Sequence, residues 1–416
     1  MKFRLKKTAA VLVAAAALLA ASGSGAAQSR SNWIGSWASS QQIPEPQNAV
    51  AADDLRDATL RQIVHLSAGG STVRVQVSNA FGTAPLHLTS VHVARPISTA
   101  SAAIDPASDR AFTFSGHADV TVPAGAKYIS DALEYTVAAG GDLAISMHYD
   151  EPPQRETGHP GSRATSYILH GDLVSAADLP NAKKVEHWYQ LSGVDVTATA
   201  PGFSIVALGD SITDGHGSTT NGNDRWPDVL ARRLQSAGMR NAGVLNQGIG
   251  GNHLLTDGLG PNVLARFDRD VLGQTAVRDV IVLEGVNDLG GLARTNPASA
   301  EEHARLVQQV IGAYEQIILR AHAANLRVFG ATILPYTGSD YYHPDAASEA
   351  DRQKVNAWIR TPGHFDAVID FDKVTRDPTT PQRLRPDFDC GDHLHPSPAG
   401  YAAMANAILL SLFQRR

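Results

Sequence analysis

Cysteine is almost missing from this chain: Cys390 is the single one in 416 residues. No intramolecular disulfide can form, and no cysteine set has the spacing of a zinc site. Charge of one sign is missing too. The 35 basic and 41 acidic residues are dispersed and give a formal net charge of −6. That balance argues for solubility and against a nucleic-acid or acidic-polymer partner. Long apolar runs are scarce. The clearest, 9-AAVLVAAAALLAA-21, is shorter than the roughly 20 residues needed to span a bilayer. No internal repeat or low-complexity linker interrupts the sequence.

The short apolar run has an informative setting. Lys2, Arg4, Lys6 and Lys7 precede it, and small residues continue to Ala27. This is the pattern of a secretory signal peptide over residues 1–27, cleaved near Ala26 or Ala27. The mature chain is therefore expected to be secreted or periplasmic, without stable membrane insertion. Roughly 390 residues remain, more than one usual domain, so two domains are expected. Cys390 has no specified activating partner and is expected to be a small, semi-buried packing residue.

The hydrophobic period changes along the chain. From residue 32 to 196 it suits strands and turns. In 72-TVRVQVSN-79, Val73, Val75 and Val77 share one face while Thr72, Arg74, Gln76 and Ser78 share the other, as in a half-buried antiparallel strand. Further strands are expected at 59–66, 86–95, 119–123, 132–137, 142–149 and 184–196. Such spacing predicts a β-sandwich or a jelly-roll-like domain. The small, polar segment 197-TATAPG-202 reads as the join. Residues 203–413 alternate strands with helices. Strands are expected at 203–208, 242–248, 277–288, 326–333 and 366–371, the third running into a loop. Helices are expected at 226–238, 298–326, 349–361 and 397–413. Repeated strand–helix units imply a mainly parallel sheet covered on both faces, with functional loops at the strands' carboxyl ends.

The chemistry concentrates at those ends. In 209-GDSITDG-215 a serine follows a buried strand at a point where a helix can begin, and backbone N–H groups there can face a developing oxyanion. A serine hydroxyl needs a base to act as a nucleophile at neutral pH. The far end of the chain offers one in 392-DHLHP-396. His395 can accept the proton and return it to a leaving alcohol, while Asp392 fixes its tautomer. His393 lies between them and is expected to point elsewhere. Asp210 and Asp214 are expected to hold the serine turn, and Asp288 to brace the loop around it.

With 246-NQGIGGN-252 and 285-GVND-288 added, residues 203–413 resemble the GDSL, or SGNH, hydrolase family, whose four blocks occur here in order. The resemblance implies a flavodoxin-like α/β/α domain and hydrolysis of esters. It implies Ser211 as nucleophile, Asp392 and His395 as its partners, and an oxyanion site formed by Ser211, Gly251 and Asn287. Gly250 is a neighbouring alternative to Gly251. Neither a cofactor nor a metal is implied. The β-rich N-terminal region departs from the minimal family pattern, and several secreted members carry such an extra domain.

Trp33, Trp37, Trp188 and Tyr189 could bind carbohydrate, but packing in a core or seam is the favoured expectation. The loops 215–226 and 335–348 are expected to border the cleft, and their Asn, Asp, His and Tyr side chains suit a hydroxyl-rich substrate. Short acyl esters are favoured, O-acetyl groups on carbohydrate among them. Two alternatives stay open: a long-chain lipase, and a secreted carbohydrate-binding or adhesion protein in which Ser211 is inert. A substrate panel separates the first, and a serine-directed phosphonate the second. The sequence leaves the oligomeric state open.

Overall fold

A strand covered on both faces reads as a continuous apolar run, and 203-FSIVAL-208 is the clearest such run here. In the computed structural model, which describes residues 32–414, Phe203–Gly209 lies between two parallel neighbours. Ile205, Val206, Ala207 and Leu208 are all fully buried. The five parallel strands run in the spatial order Ala242–Gly248, Phe203–Gly209, Val277–Leu283, Arg327–Ala331 and Ala367–Ile369. The first strand in sequence therefore lies second in space. The strand order reverses beside it, which opens a crevice at its carboxyl end. The signal peptide expected at residues 1–27 lies outside the described residues.

Helix boundaries follow local chemistry. Ser299 and Glu302 form a reciprocal capping box that starts helix Ala300–Ala323. Asp345 caps helix Ala346–Arg360, which begins three residues before the expected 349. Pro398 opens the final helix, which ends at Ala407 rather than 413. Arg233 donates to the carbonyls of Ala405 and Ile408 and so satisfies that helix end early. No described helix is long and apolar enough to cross a membrane.

Residues 32–197 are β-rich. One antiparallel sheet orders Trp33–Ala38, Leu191–Thr197, Gly70–Ser78 and Lys127–Ile129, with Leu133–Val137 also paired to Gly70–Ser78. A second orders Lys183–Val185, Ser166–His170, Ala58–His65, Asp142–Tyr149, Ser90–Pro96 and Ile104–Ala111. Side chains from both, among them Val73, Val75, Val77, Leu60, Val93 and Ile145, join one buried cluster. Two expected strands are broken. Thr89 interrupts 86–95, bonding to His148 through both its amide and its hydroxyl, and the two pieces join different sheets. The expected 184–196 falls into Lys183–Val185, Trp188–Tyr189 and Leu191–Thr197, the last break at Gln190 with φ 52°.

Gly70–Ser78 was expected to be half-buried, with its polar face exposed, yet Gln76 and Ser78 are buried. The reason is a buried acid on the neighbouring strand that also binds the second half of the chain. Asp195, 1 % exposed, accepts from Arg74 at 2.9 Å, Gln76 at 3.1 Å and Thr275 at 2.8 Å. Gly35 donates to Ser204 Oγ at 3.0 Å, which donates to the Thr275 carbonyl at 2.7 Å. Trp33–Ala38 approaches Ala242–Gly248 so closely that a Cβ at Gly243 would sit 1.9 Å from the Gly35 carbonyl oxygen. A second apolar cluster takes Ala38 and residues between 205 and 413. Residues 33–414 form one compact unit.

One buried side chain ties this framework to the strand ends. Arg266 donates to the carbonyls of Gly209 at 2.9 Å and Gln247 at 2.7 Å, and to Asn252 Oδ1 at 2.9 Å. It also reaches Asp270 at 3.0 Å and Ser40 Oγ at 3.3 Å. Replacement by methionine keeps the length but removes a donor from two backbone carbonyls, Asn252 and Asp270, the last still held by Arg269 and Ser40. Arg266→Met is expected to lower unfolding stability by about 1–3 kcal/mol. Arg266→Lys should rescue it only in part, because one ammonium cannot span these acceptors. Urea unfolding followed by circular dichroism measures both, and an unchanged midpoint for Arg266→Met would refute the clamp.

Candidate active site

The central strand ends at Gly209, and the chain must turn at once. Asp210 supplies the turn. Its carboxylate accepts from the Ile212 N–H at 2.9 Å and caps the short helix Ser211–Asp214. Burial pushes the Asp210 carboxyl up to about 7 despite that bond. Ser211, 8 % exposed, opens the helix and faces the crevice.

The C-terminal loop meets it there. Ser211 Oγ lies 2.7 Å from His395 Nε2, and His395 Nδ1 lies 2.6 Å from Asp392 Oδ2. The other Asp392 oxygen accepts from the N–H groups of Leu394 at 2.9 Å and His395 at 2.8 Å. A three-residue spacing thus suffices, because the carboxylate folds the loop around itself. Burial alone would push the Asp392 carboxyl up. The bond and charge of His395 and the two backbone donors outweigh burial and hold it well below the usual range. Asp392 thus fixes Nδ1 as the donor and leaves Nε2 free to accept the serine proton.

The next two strand ends supply donors. Gly251 and Asn287 line the same pocket as Ser211 and His395. Gly251 has φ +64°, a conformation that favours glycine, whereas Gly250 does not need it. Asn287 lies in the first turn of helix Val286–Leu292, where a loop was expected. Its Nδ2 donates to the Asn252 carbonyl at 2.6 Å, and the Tyr342 hydroxyl donates to its Oδ1. These partners set which way the amide points and leave one N–H for a ligand. Asp288 accepts from Leu254 at 2.9 Å and Leu255 at 3.1 Å, so it braces the glycine loop next door.

The β-rich region forms one wall. A cavity of about 750 Å³ is lined by Gln42, Glu45, Asn48 and Arg163 on that side and by Ser339 and Tyr341 opposite. His159 holds the wall in place: its Nε2 lies 2.9 Å from Asp214, and its Nδ1 lies 2.8 Å from the Ser40 carbonyl. Asp214 therefore ties the serine helix to the β-rich region, a different task from the expected hold on its own turn. Arg163 Nη2 donates to His216 Nδ1 at 3.1 Å.

Ser211, Asp392, His395, Gly251 and Asn287 are thus brought to one pocket. His393 points away, bonded to Asp389 at 2.6 Å and exposed. Cys390 is exposed rather than semi-buried. Trp37, Trp188 and Tyr189 are buried, the two indoles edge to face at 4.9 Å. Sequence reasoning missed His159, Arg163, Asn252 and Arg266. Each acts through contacts that only the fold creates. His216 and Tyr342 lay inside the two loops expected at the cleft. His216, Asp392 and His395 offer ligand atoms within 4.8 Å of one another, but both His395 nitrogens are already engaged by Ser211 and Asp392.

The family model for GDSL-like lipase/acylhydrolase matches residues 207–403. Solved structures similar to the chain include the lipase/acylhydrolase from Enterococcus faecalis, at 23% identity over 50% of this chain and 95% of that one, TM-score 0.38. A GDSL-like lipase from Bacteroides thetaiotaomicron is 19% identical over 50% of this chain and 87% of that one, TM-score 0.37. A catalytic mutant of an acetylxylan esterase from Geobacillus stearothermophilus is 21% identical over 50% of this chain and 92% of that one, TM-score 0.38. No curated protein matches.

The Asn287 contacts yield a graded expectation. Asn287→Ala should lower kcat by roughly 10²–10³ with little change in KM, the loss typical of one oxyanion donor. Tyr342→Phe frees the amide to rotate without removing it, and should cost about tenfold in kcat. Steady-state kinetics on an aryl acetate distinguish the two. A change confined to KM would make Asn287 a ground-state contact.

Proposed function

Residues 207–403 belong to the GDSL-like lipase/acylhydrolase family, and from that premise we propose that this protein hydrolyses carboxylic esters with Ser211 as nucleophile. The observation that carries the reading is the continuous run Ser211–His395–Asp392, with bonds of 2.7 and 2.6 Å, in the pocket that also holds Gly251 and Asn287. Ser211 Oγ attacks the ester carbonyl carbon while its proton passes to His395 Nε2. The oxyanion meets the N–H groups of Ser211 and Gly251 and the free Asn287 amide proton. Collapse breaks the bond to the leaving alcohol, which takes the proton from His395. Water, deprotonated by His395, then releases the acid and restores Ser211.

The proposed substrates are short acyl esters, O-acetyl groups on carbohydrate among them. The wall residues Gln42, Glu45 and Asn48, with Ser339 and Asp340 opposite, suit hydroxyls better than a long alkyl chain. The reading takes residues 32–196 as a β-sandwich domain and 203–413 as a three-layer α/β/α domain. It takes the protein to be exported by the leader at residues 1–27.

Ser211→Ala is expected to lower turnover by more than about 10³-fold while far-ultraviolet circular dichroism stays unchanged. His395→Ala should do the same and His393→Ala should stay within a few-fold of wild type. A fluorophosphonate should label Ser211 alone and stop turnover. A panel of aryl acetates, acetylated xylose, acetylated glycans and long-chain triglycerides reads the substrate class. Turnover by folded Ser211→Ala, or labelling elsewhere, rejects the mechanism. Faster turnover of triglyceride than acetate rejects the short-acyl reading.

A further inference from the structure

His216 sits where the serine helix ends, outside the Ser211–His395–Asp392 run but against it. Its ring centroid lies 4.1 Å from that of His395, and its Nε2 lies 3.6 Å from Asp392 Oδ2. The latter is an electrostatic contact, too long for a hydrogen bond in this geometry. On the far side, Arg163 Nη2 donates to His216 Nδ1 at 3.1 Å. A guanidinium only donates, so His216 Nδ1 must accept, and the ring proton resides on Nε2, facing Asp392. Arg163 is carried by the β-rich region, 53 residues away in sequence. The two loops are knit together there: Asn221 donates to the Arg163 carbonyl at 2.8 Å and accepts from the Thr165 N–H at 2.8 Å.

We propose that Arg163 and His216 are positioning residues for ester hydrolysis: Arg163 locks His216 as the neutral Nε2–H tautomer, and His216 in that form keeps Asp392 committed to His395. The proposal rests on the Ser211–His395–Asp392 reading and extends it across to the β-rich region. A protonated His216 would compete with His395 for the same carboxylate and would place a second positive charge against the imidazolium formed during turnover. All the groups facing His216 bear on its state. Arg163 comes from the loop after Gly158–His159, Asp214 from the serine helix, and Asp392 and His395 from the C-terminal loop. The Tyr401 hydroxyl donates to the His216 carbonyl from the last helix at 2.5 Å, and Cys390 packs near the adjoining Gly217. Burial first, then the charges of His395 and Arg163, bring the His216 imidazole down to about 4, against weaker opposing pulls from Asp392 and Asp214.

The test uses the full-length protein and three variants. In wild type, nitrogen-resolved NMR, with the His216 signals assigned from their loss in His216→Gln, should report the Nε2–H tautomer. No protonation of His216 should appear above about pH 5, one unit past its midpoint. In Arg163→Met, His216 should titrate at least about one unit higher, because a nearby positive charge is gone. The acid limb of kcat/KM, which protonation of His395 also shapes, should then fall more steeply below the raised His216 midpoint, and kcat should fall several-fold near neutrality with KM little changed. Arg163→Lys should restore much of the acid limb, since its charge remains. Circular dichroism and unfolding midpoints check that each variant is folded.

An unchanged His216 titration and tautomer in Arg163→Met overturns the proposal. So does a shifted titration with an unmoved pH–rate profile, or an effect confined to KM. Failure of the underlying hydrolase reading looks different. Wild type would then neither turn over ester nor react with a fluorophosphonate, while the NMR arm would still report whether Arg163 sets the state of His216.

Discussion

A guanidinium with almost no access to water holds the strand ends of this enzyme in register. Arg266 must find acceptors for its donors, because a buried charge left unpaired costs several kcal/mol. It finds them at Gly209, Gln247, Asn252, Asp270 and Ser40. The first two are the last turns of adjacent parallel strands, one leading to Ser211 and the other to Gly251. Asn252 in turn uses its carbonyl to hold Asn287. The strand-order reversal creates the crevice, and Arg266 fixes the relative height of the loops that rim it. Ser40 comes from the β-rich region, so even this innermost clamp is completed from outside the α/β sheet.

That dependence recurs across the seam. Asp214, 2 % exposed, relies on His159, and Asp195 gathers donors from both halves of the chain. Such buried polar pairs add little net stability over apolar packing, but they are costly to break and permit few alternative registers. A seam built this way suits a wall that carries pocket residues. An apolar seam could slide by an ångström with little loss, whereas these bonds lose their geometry within that distance. Arg163 and Glu45 therefore meet the pocket in a defined place rather than as a loosely hinged cover.

What the sequence made legible follows from how local each signal is. The central strand was readable because Ile205 through Leu208 are all apolar, and helix Ala300–Ala323 because it carries both a stripe and a cap. The active-site blocks were readable because each lies within a few residues: Asp392 and His395 fold one loop through their own backbone bonds. The breaks at Thr89 and Gln190 were not, since neither residue type marks a strand end by itself. The burial of Gln76 was hidden because alternation reports which residues share a face, not what covers that face. His159 and Arg163 were the least accessible. Nothing in their own neighbourhood distinguishes them from other loop residues, and their partners lie 55 and 53 residues away.

The floor beneath the pocket raises a separate electrostatic question, because three acids lie there. Burial pushes Asp210, Glu284 and Asp288 up, and Asp210 adds to the effect on Glu284. Both Glu284 carboxyl oxygens lack a protein partner, a costly state for an anion and a tolerable one for a neutral acid. An ionised Glu284 would set a negative charge in a region of low dielectric near the proposed oxyanion site, where repulsion is poorly screened. Kept neutral, it leaves the proposed donors of Ser211, Gly251 and Asn287 unopposed. The same burial that disfavours charge on these acids also strengthens each N–H that faces the pocket, since a preorganised N–H acts more strongly where water cannot compete. The serine site thus gains from acids whose charge burial disfavours as well as from Asp392, whose carboxyl its own loop holds low.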